Sequence, residues 1–362
     1  MIDVKVKSLR LVFGSLWLLG VLRLSAGTPA VQEAGSVPLT IPTIRFSGPF
    51  RSFSGDLYLM GTVGNDRAVY RYDGSNGTLT GQFPLSSLPL AGKTMMHFSP
   101  EVAVDTDGNI FLAAVWRPEG TRQTSTGIFV LDRNGVYTRT ITLSPRVEAR
   151  HLTIDREGNL YVLGMNTDYF SGKTDLCMMI HKYTPGGTRV TAFSDCPAGY
   201  SLRNQTGLTP GPDLSKLNRD INLGSVWFQN GLIYHVLADL HTVKTFDTSG
   251  RQVKQIQFEP PSAALTTPAD PTVASSDEIR RVVPISGGRF MLEWLHADVS
   301  GSTRHSGRVL SIHDTDGKLL TSAFAPASAS AVLFSDEAGS AYMLRRNISA
   351  SHELVRVNVS VQ

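Results

Sequence analysis

The sequence predicts an all-β fold assembled from repeated four-stranded antiparallel units, and three observations carry that prediction. No long segment shows helical period; aromatic and β-branched residues sit instead in short runs punctuated by 33 Gly and 19 Pro. Two apolar runs flank an acidic, glycine-bearing turn at Asp105-Thr-Asp107-Gly108-Asn109, and the pattern recurs fifty residues later at Asp155-Arg-Glu157-Gly158-Asn159. After each of these hairpins a second hairpin signal follows, so the repeating unit has four strands, here called A to D.

The chain opens on a segment that does not belong to this pattern. Lys5, Lys7 and Arg10 precede a mostly apolar run from Leu11 to Leu22, and Ser25, Ala26 and Gly27 offer a cleavage site, with Ala30 as another. The run is short for a span of ~20 residues, so residues 1–27 are expected to be a secretory signal peptide and 28–36 a short linker. The alternative is an uncleaved anchor, which Arg23 at the tail of the run would suit. No later stretch is apolar enough to cross a bilayer, and the mature protein is expected to be secreted or periplasmic. Of 34 Lys plus Arg and 31 Asp plus Glu, the first 27 residues hold four and one, which leaves 30 of each. A near-neutral mature chain without a clustered basic face excludes nucleic acid as an expected partner.

From residue 37 to 362 the chain reads as one domain. The A–B turns are Phe53-Ser-Gly55-Asp56, the two acidic turns above, Phe228-Gln-Asn230-Gly231, Ile285-Ser-Gly287-Gly288 and Asp336-Glu-Ala-Gly339. An apolar strand follows each. The C–D turns are Asp73-Gly74, Asp132-Arg-Asn134-Gly135, Pro185-Gly186-Gly187, Asp247-Thr-Ser-Gly250 and Asp314-Thr-Asp316-Gly317. Gly and Asn supply the positive φ of tight turns, and Asp accepts backbone N–H groups within them. Two hairpins per unit make the blade of a β-propeller. The expected blades are about 44–88, 97–144, 148–196, 221–259, 277–326, and 330–362 completed by 37–43, with loops at 197–220 and 260–276.

Six A–B turns against five C–D turns leave the last unit one strand short. The N-terminal segment around Val37-Pro-Leu-Thr-Ile41 is expected to supply it, closing a six-bladed ring without an open sheet edge. Pro38 and Pro42 are compatible with such a strand because it lies outermost in its blade.

These turn and strand residues resemble the repeat of NHL-type and related six-bladed propellers, best in blades 2 and 3. The resemblance implies architecture; its members include lyases, lactonases, ligand receptors and protein-binding scaffolds.

Cys177 and Cys196 lie symmetrically about the Gly186-Gly187 hairpin, which places them opposite one another and predicts a disulfide; two buried free thiols are the alternative. In propellers the side chains near the start of each A strand reach the central channel. Counting back seven residues from each A–B turn glycine gives Gly48, Glu101, His151, Gly224, Arg281 and Val332. Glu101, His151 and Arg281 are therefore candidate ligand-binding residues, with Arg150 and Arg280 beside them; solvated channel-mouth residues are the plainer reading. A Glu/His pair also suits acid–base work or a divalent metal. Asp105-x-Asp107-Gly108-Asn109 lacks the closing Glu of a calcium loop and reads as hairpin chemistry. No nucleophile elbow, phosphate loop or dinucleotide fingerprint is present. The expected function is a monomeric module that binds a small molecule or protein, with no catalytic residue assigned and no cofactor. The alternative is a metal-dependent, lactonase-like lyase or hydrolase at the channel mouth.

Overall fold

The computed structural model describes residues 30–39, 45–63, 66–99, 101–122, 124–143, 147–166, 177–196, 224–261, 274–300, 303–324, 332–336, 339–346 and 352–360. The expected signal peptide, and nearly all of the loops expected at 197–220 and 260–276, lie outside the described residues. Strand β1 (Ala30–Leu39) opens the described chain. Blade 1 is β2 (Arg45–Arg51), β3 (Leu57–Val63), β4 (Asp66–Tyr72) and β5 (Leu79–Pro84). Blade 2 comprises β6 (Lys93–Phe98) and β7 (Ala103–Val104), both paired to β8 (Ile110–Pro118), then β9 (Ser125–Leu131) and β10 (Tyr137–Thr142). Blade 3 is β11 (Val147–Ile154), β12 (Leu160–Asn166), β13 (Met178–Tyr183) and β14 (Arg189–Asp195). Blade 4 is β15 (Val226–Gln229), β16 (Leu232–Leu237), β17 (Thr242–Asp247) and β18 (Gln252–Gln257). Blade 5 is β19 (Ala274–Ile285), β20 (Arg289–Ser300), β21 (Thr303–His313) and β22 (Leu319–Phe324). Blade 6 is β23 (Val332–Ser335), β24 (Ala341–Arg346) and β25 (His352–Ser360), with β1 pairing β25 at its outer edge. The fold is all-β, a six-bladed propeller of antiparallel blades closed by the N-terminal strand.

Two expectations need correction. The closing strand starts at Ala30 within the expected linker 28–36, because β25 offers nine residues of edge and β1 pairs along all of it from Ala30↔Ser360 to Leu39↔His352. The register shift between Glu33 and Gly35 breaks the alternation by which a strand is recognised. Likewise β19 begins at Ala274, inside the expected loop 260–276. Its small polar start (Ala274-Ser-Ser) has no apolar alternation and is held by the matching length of β20, with Ala274 opposite Val299.

Aspartate builds the turns. Asp155 Oδ1 accepts the Asn159 N–H at 2.8 Å, while Oδ2 accepts Asn159 Nδ2 and the Tyr161 hydroxyl, each at 2.9 Å. Asp105 holds Asn109 in the same way, and Asp336 takes the Ser340 N–H and the Tyr342 hydroxyl. In the C–D turns Asp132, Asp247 and Asp314 each accept the N–H groups two and four residues on. The acidic turns are thus hairpin chemistry, as their sequence pattern indicates.

The core lies between blades. Among the described residues six apolar clusters occur, one at each blade–blade interface, including the closing one, where Leu39 and Leu354 of blade 6 meet Leu57 and Tyr70 of blade 1. The C–D turns also press on the preceding blade. Gly135 has φ +80° and sits so close to Phe83 that a Cβ would come within 2.0 Å of the ring, so no other residue fits without movement. Cys177 and Cys196 form the expected disulfide across the ends of β13 and β14, with Cα atoms 5.4 Å apart beside the Met178↔Asp195 pair.

Candidate functional site

The A strands depart from regular pairing at one common step. Register shifts fall between Ser47 and Phe50 in blade 1, Ala149 and His151 in blade 3, and Ile279 and Arg281 in blade 5. In blade 2 the strand is interrupted between Phe98 and Ala103, where Glu101 lies. A bulge re-aims the side chain that follows it. Here the irregular steps carry the three charged or titratable residues found by counting back from the turn glycines.

Those three meet. Arg281 Nη1 donates to Glu101 Oε1, and His151 Nδ1 lies 3.1 Å from Glu101 Oε2. Blades 2 and 3 are neighbours, whereas blades 2 and 5 stand opposite in a ring of six, so the Glu101–Arg281 pair spans the channel. The expectation of solvated side chains is corrected. Glu101 is 9% exposed and His151 4%, because the channel narrows around the pair until the carboxylate is enclosed by its partners.

Electrostatics follow from that enclosure. Burial pushes the Glu101 carboxyl up, but the Arg281 and His151 charges and hydrogen bonds outweigh it, lowering it from the ordinary 4.5 to about 2. Burial works against the Arg281 cation too, and Glu101 overrides it, with a further contribution from Glu293. Glu101 is therefore ionised at neutral pH and can only accept, so the shared hydrogen is on His151 Nδ1. Carboxylate-oriented imidazole of this kind suits ligand hydrogen bonding or proton transfer.

Around the trio lie residues that the repeat count does not find. Ser99 Oγ donates to Arg150 O at 2.8 Å and receives the Glu101 N–H at 3.3 Å, tying the break in blade 2 to the bulge in blade 3. Arg150 also pairs with Glu148 and approaches His97 Nε2 at 3.5 Å. Arg280 lies 3.6 Å from Glu278 and takes no part in the trio. On the blade 3–blade 4 side, Ser194 Oγ and His235 Nδ1 share a bond of 2.7 Å; burial first, then Lys244 and His151, lower His235 to about 3, keeping it neutral.

At the A–B-turn end, side chains from opposite blades meet across the channel. Phe53 of blade 1 and Phe228 of blade 4, again opposite blades, meet edge to face at 6.4 Å, with the Arg156 guanidinium 5.5 Å from the Phe53 ring centre. Gln229 Nε2 donates to Asp336 O at 2.7 Å, linking blades 4 and 6. Among the described residues no three of His, Cys, Asp and Glu converge as a metal set, and Glu101 is already neutralised by Arg281.

Fold and site together define a six-bladed β-propeller whose channel is spanned by a buried Glu–His–Arg constellation. Comparison with known proteins agrees on the fold. A crystal structure of a member of the DUF4221 family from Bacteroides vulgatus matches over 93% of this chain and 100% of its own, with 8% identity and a TM-score of 0.52. A putative exported protein from Bacteroides fragilis matches over 93% and 97%, with 9% identity and a TM-score of 0.51. Virginiamycin B lyase from Staphylococcus aureus covers 92% and 100% at 11% identity, but its TM-score of 0.43 carries no argument. Likeness at these identities concerns the fold alone. No protein-family model and no curated protein matches the chain.

Proposed function

We propose that this protein is an exported binding module that takes a small polar ligand at the D-to-A end of its channel, through His151 and Arg281 held by Glu101. One observation carries the reading. Three polar side chains from three blades converge at the irregular steps of their A strands, where an apolar filling of similar volume would stabilise the ring as well or better. Their arrangement commits His151 Nδ1 to Glu101 and leaves Nε2 on the far side of the ring, together with the remaining guanidinium N–H groups of Arg281, whose side chain is 25% exposed, as donors. A hydroxyl, which both donates and accepts, would serve both.

Export is supported by the basic and apolar N-terminal pattern, the disulfide and the exported-protein fold neighbour. The NHL-type reading of the repeats belongs to this proposal and rests on the turns of blades 2 and 3. No cofactor, nucleic acid or second subunit is part of it.

To test it, the purified protein is equilibrated with spent growth medium of its host, and retained small molecules are identified by mass spectrometry. Retention by the wild type, and its loss in folded His151→Ala and Arg281→Met variants, is the expected outcome. Identical retention by all three would overturn the assignment.

A further inference from the structure

The A–B-turn face carries a second concave feature, separate from the channel. Between blades 4 and 5 lies a cleft of about 370 Å³, a volume in the range of small-molecule sites. Its floor is apolar and fixed: Tyr234, Ile256, Ile285 and Phe290 are all buried and belong to the interblade packing. Trp227, opposite Tyr234 on the neighbouring strand, stacks on it at 5.0 Å with the rings 5° from parallel and holds the Tyr234 ring in place. At the inner end Gln229, bonded to Asp336 O and to Ser335 Oγ at 3.1 Å, separates the cleft from the channel.

The rim is cationic. Lys254 Nζ donates to Thr315 O at 2.6 Å and pairs with Asp316 at 3.0 Å, which fixes its position. Arg289 lines the same cleft and makes no ion pair among the described residues. Two cations thus face one carboxylate, and that carboxylate is committed to Lys254. The guanidinium presents a planar fork suited to a carboxylate or sulfonate.

We infer that this cleft binds a monoanionic amphiphile, its flat apolar body on the Tyr234–Phe290 floor and its head group on Arg289. The inference is independent of the channel reading, since no residue is shared with the Glu101 constellation.

The probe is 8-anilinonaphthalene-1-sulfonate, a flat aromatic body with one sulfonate, titrated into the folded full-length protein and followed by fluorescence. Saturable binding of one dye per chain is expected. Arg289→Ala should weaken it by about tenfold or more, and so should Val253→Trp, which places a bulky side chain at the lip; Val253 is 54% exposed, so the fold tolerates the change. Arg251→Ala, removing a cation with an 82% exposed side chain outside the cleft, should leave binding unchanged. The neutral analogue N-phenyl-1-naphthylamine should bind about tenfold more weakly than the sulfonate. Absence of saturable binding, equal binding by Arg289→Ala and Val253→Trp, or equal affinity for the neutral analogue would each overturn the inference. Near-UV circular dichroism of every variant excludes dye binding to a loosened, partly unfolded chain as the source of the signal.

Discussion

Glu101→Gln keeps the shape of the channel pair but removes its charge, and its single amide oxygen can accept from only one of Arg281 and His151. Breaking a buried ion pair from one side costs about 3–5 kcal/mol, because the remaining charge is left uncompensated. Two features place this case at the low end. The Arg281 side chain keeps 25% exposure, and Glu293 acts on the same guanidinium. A loss of about 3 kcal/mol is therefore expected at pH 7, or roughly 5 °C in Tm for a domain of this size. The pH dependence has a defined sign. The fold holds the carboxyl at about 2 against an ordinary 4.5, so its stabilisation is complete above 4.5 and drains away as pH falls toward 2. Urea titrations of wild type and variant at pH 7 and pH 3, with unchanged m-values, should show a gap that narrows on acidification. Adding Arg281→Met to Glu101→Gln should recover part of the loss. A gap below about 0.5 kcal/mol at pH 7, the range of ordinary surface changes, would refute the reasoning.

Three further outcomes follow from the scaffold. Reducing Cys177–Cys196, which closes 19 residues of chain, should cost about 3 kcal/mol, with amide exchange rising first in β13 and β14. Asp155→Ala leaves the Asn159 amide groups and the Tyr161 hydroxyl without their acceptor, a loss of about 2–3 kcal/mol by chemical denaturation; the same change at Asp73, which is only partly buried, should cost less. Deleting residues 30–39 uncovers the edge of β25, and light scattering should then find larger assemblies than the full chain forms at the same concentration.

Much of this molecule is legible in its residues. Asp at the start of a turn and Gly near its end mark hairpins by local chemistry alone, and their spacing gives the blade count. The same spacing finds Glu101, His151 and Arg281, because the bulges sit at a fixed distance from the turns. What it does not reveal is how far the channel closes around them. Phe53 and Phe228 lie 175 positions apart and look like ordinary turn and strand aromatics; their contact exists only once blades 1 and 4 face each other. Ser194 and His235 are hidden for the same reason, since their bond crosses a blade interface. The start of β19 is missed because Ala274-Ser-Ser pairs by strand length and not by apolar pattern.

Contacts across the channel change how such a ring comes apart. In a linear repeat array each unit touches only its neighbours, and the ends fray independently. Here Glu101–Arg281 joins blades 2 and 5, Phe53–Phe228 joins blades 1 and 4, and Gln229 reaches from blade 4 to blade 6. Peeling away β1 opens one seam, yet the blades on either side of that seam remain tethered through the axis to blades that have not moved. A partly opened propeller therefore keeps its diameters before it loses its circumference. Its unfolding should read as one transition, with the hub releasing last.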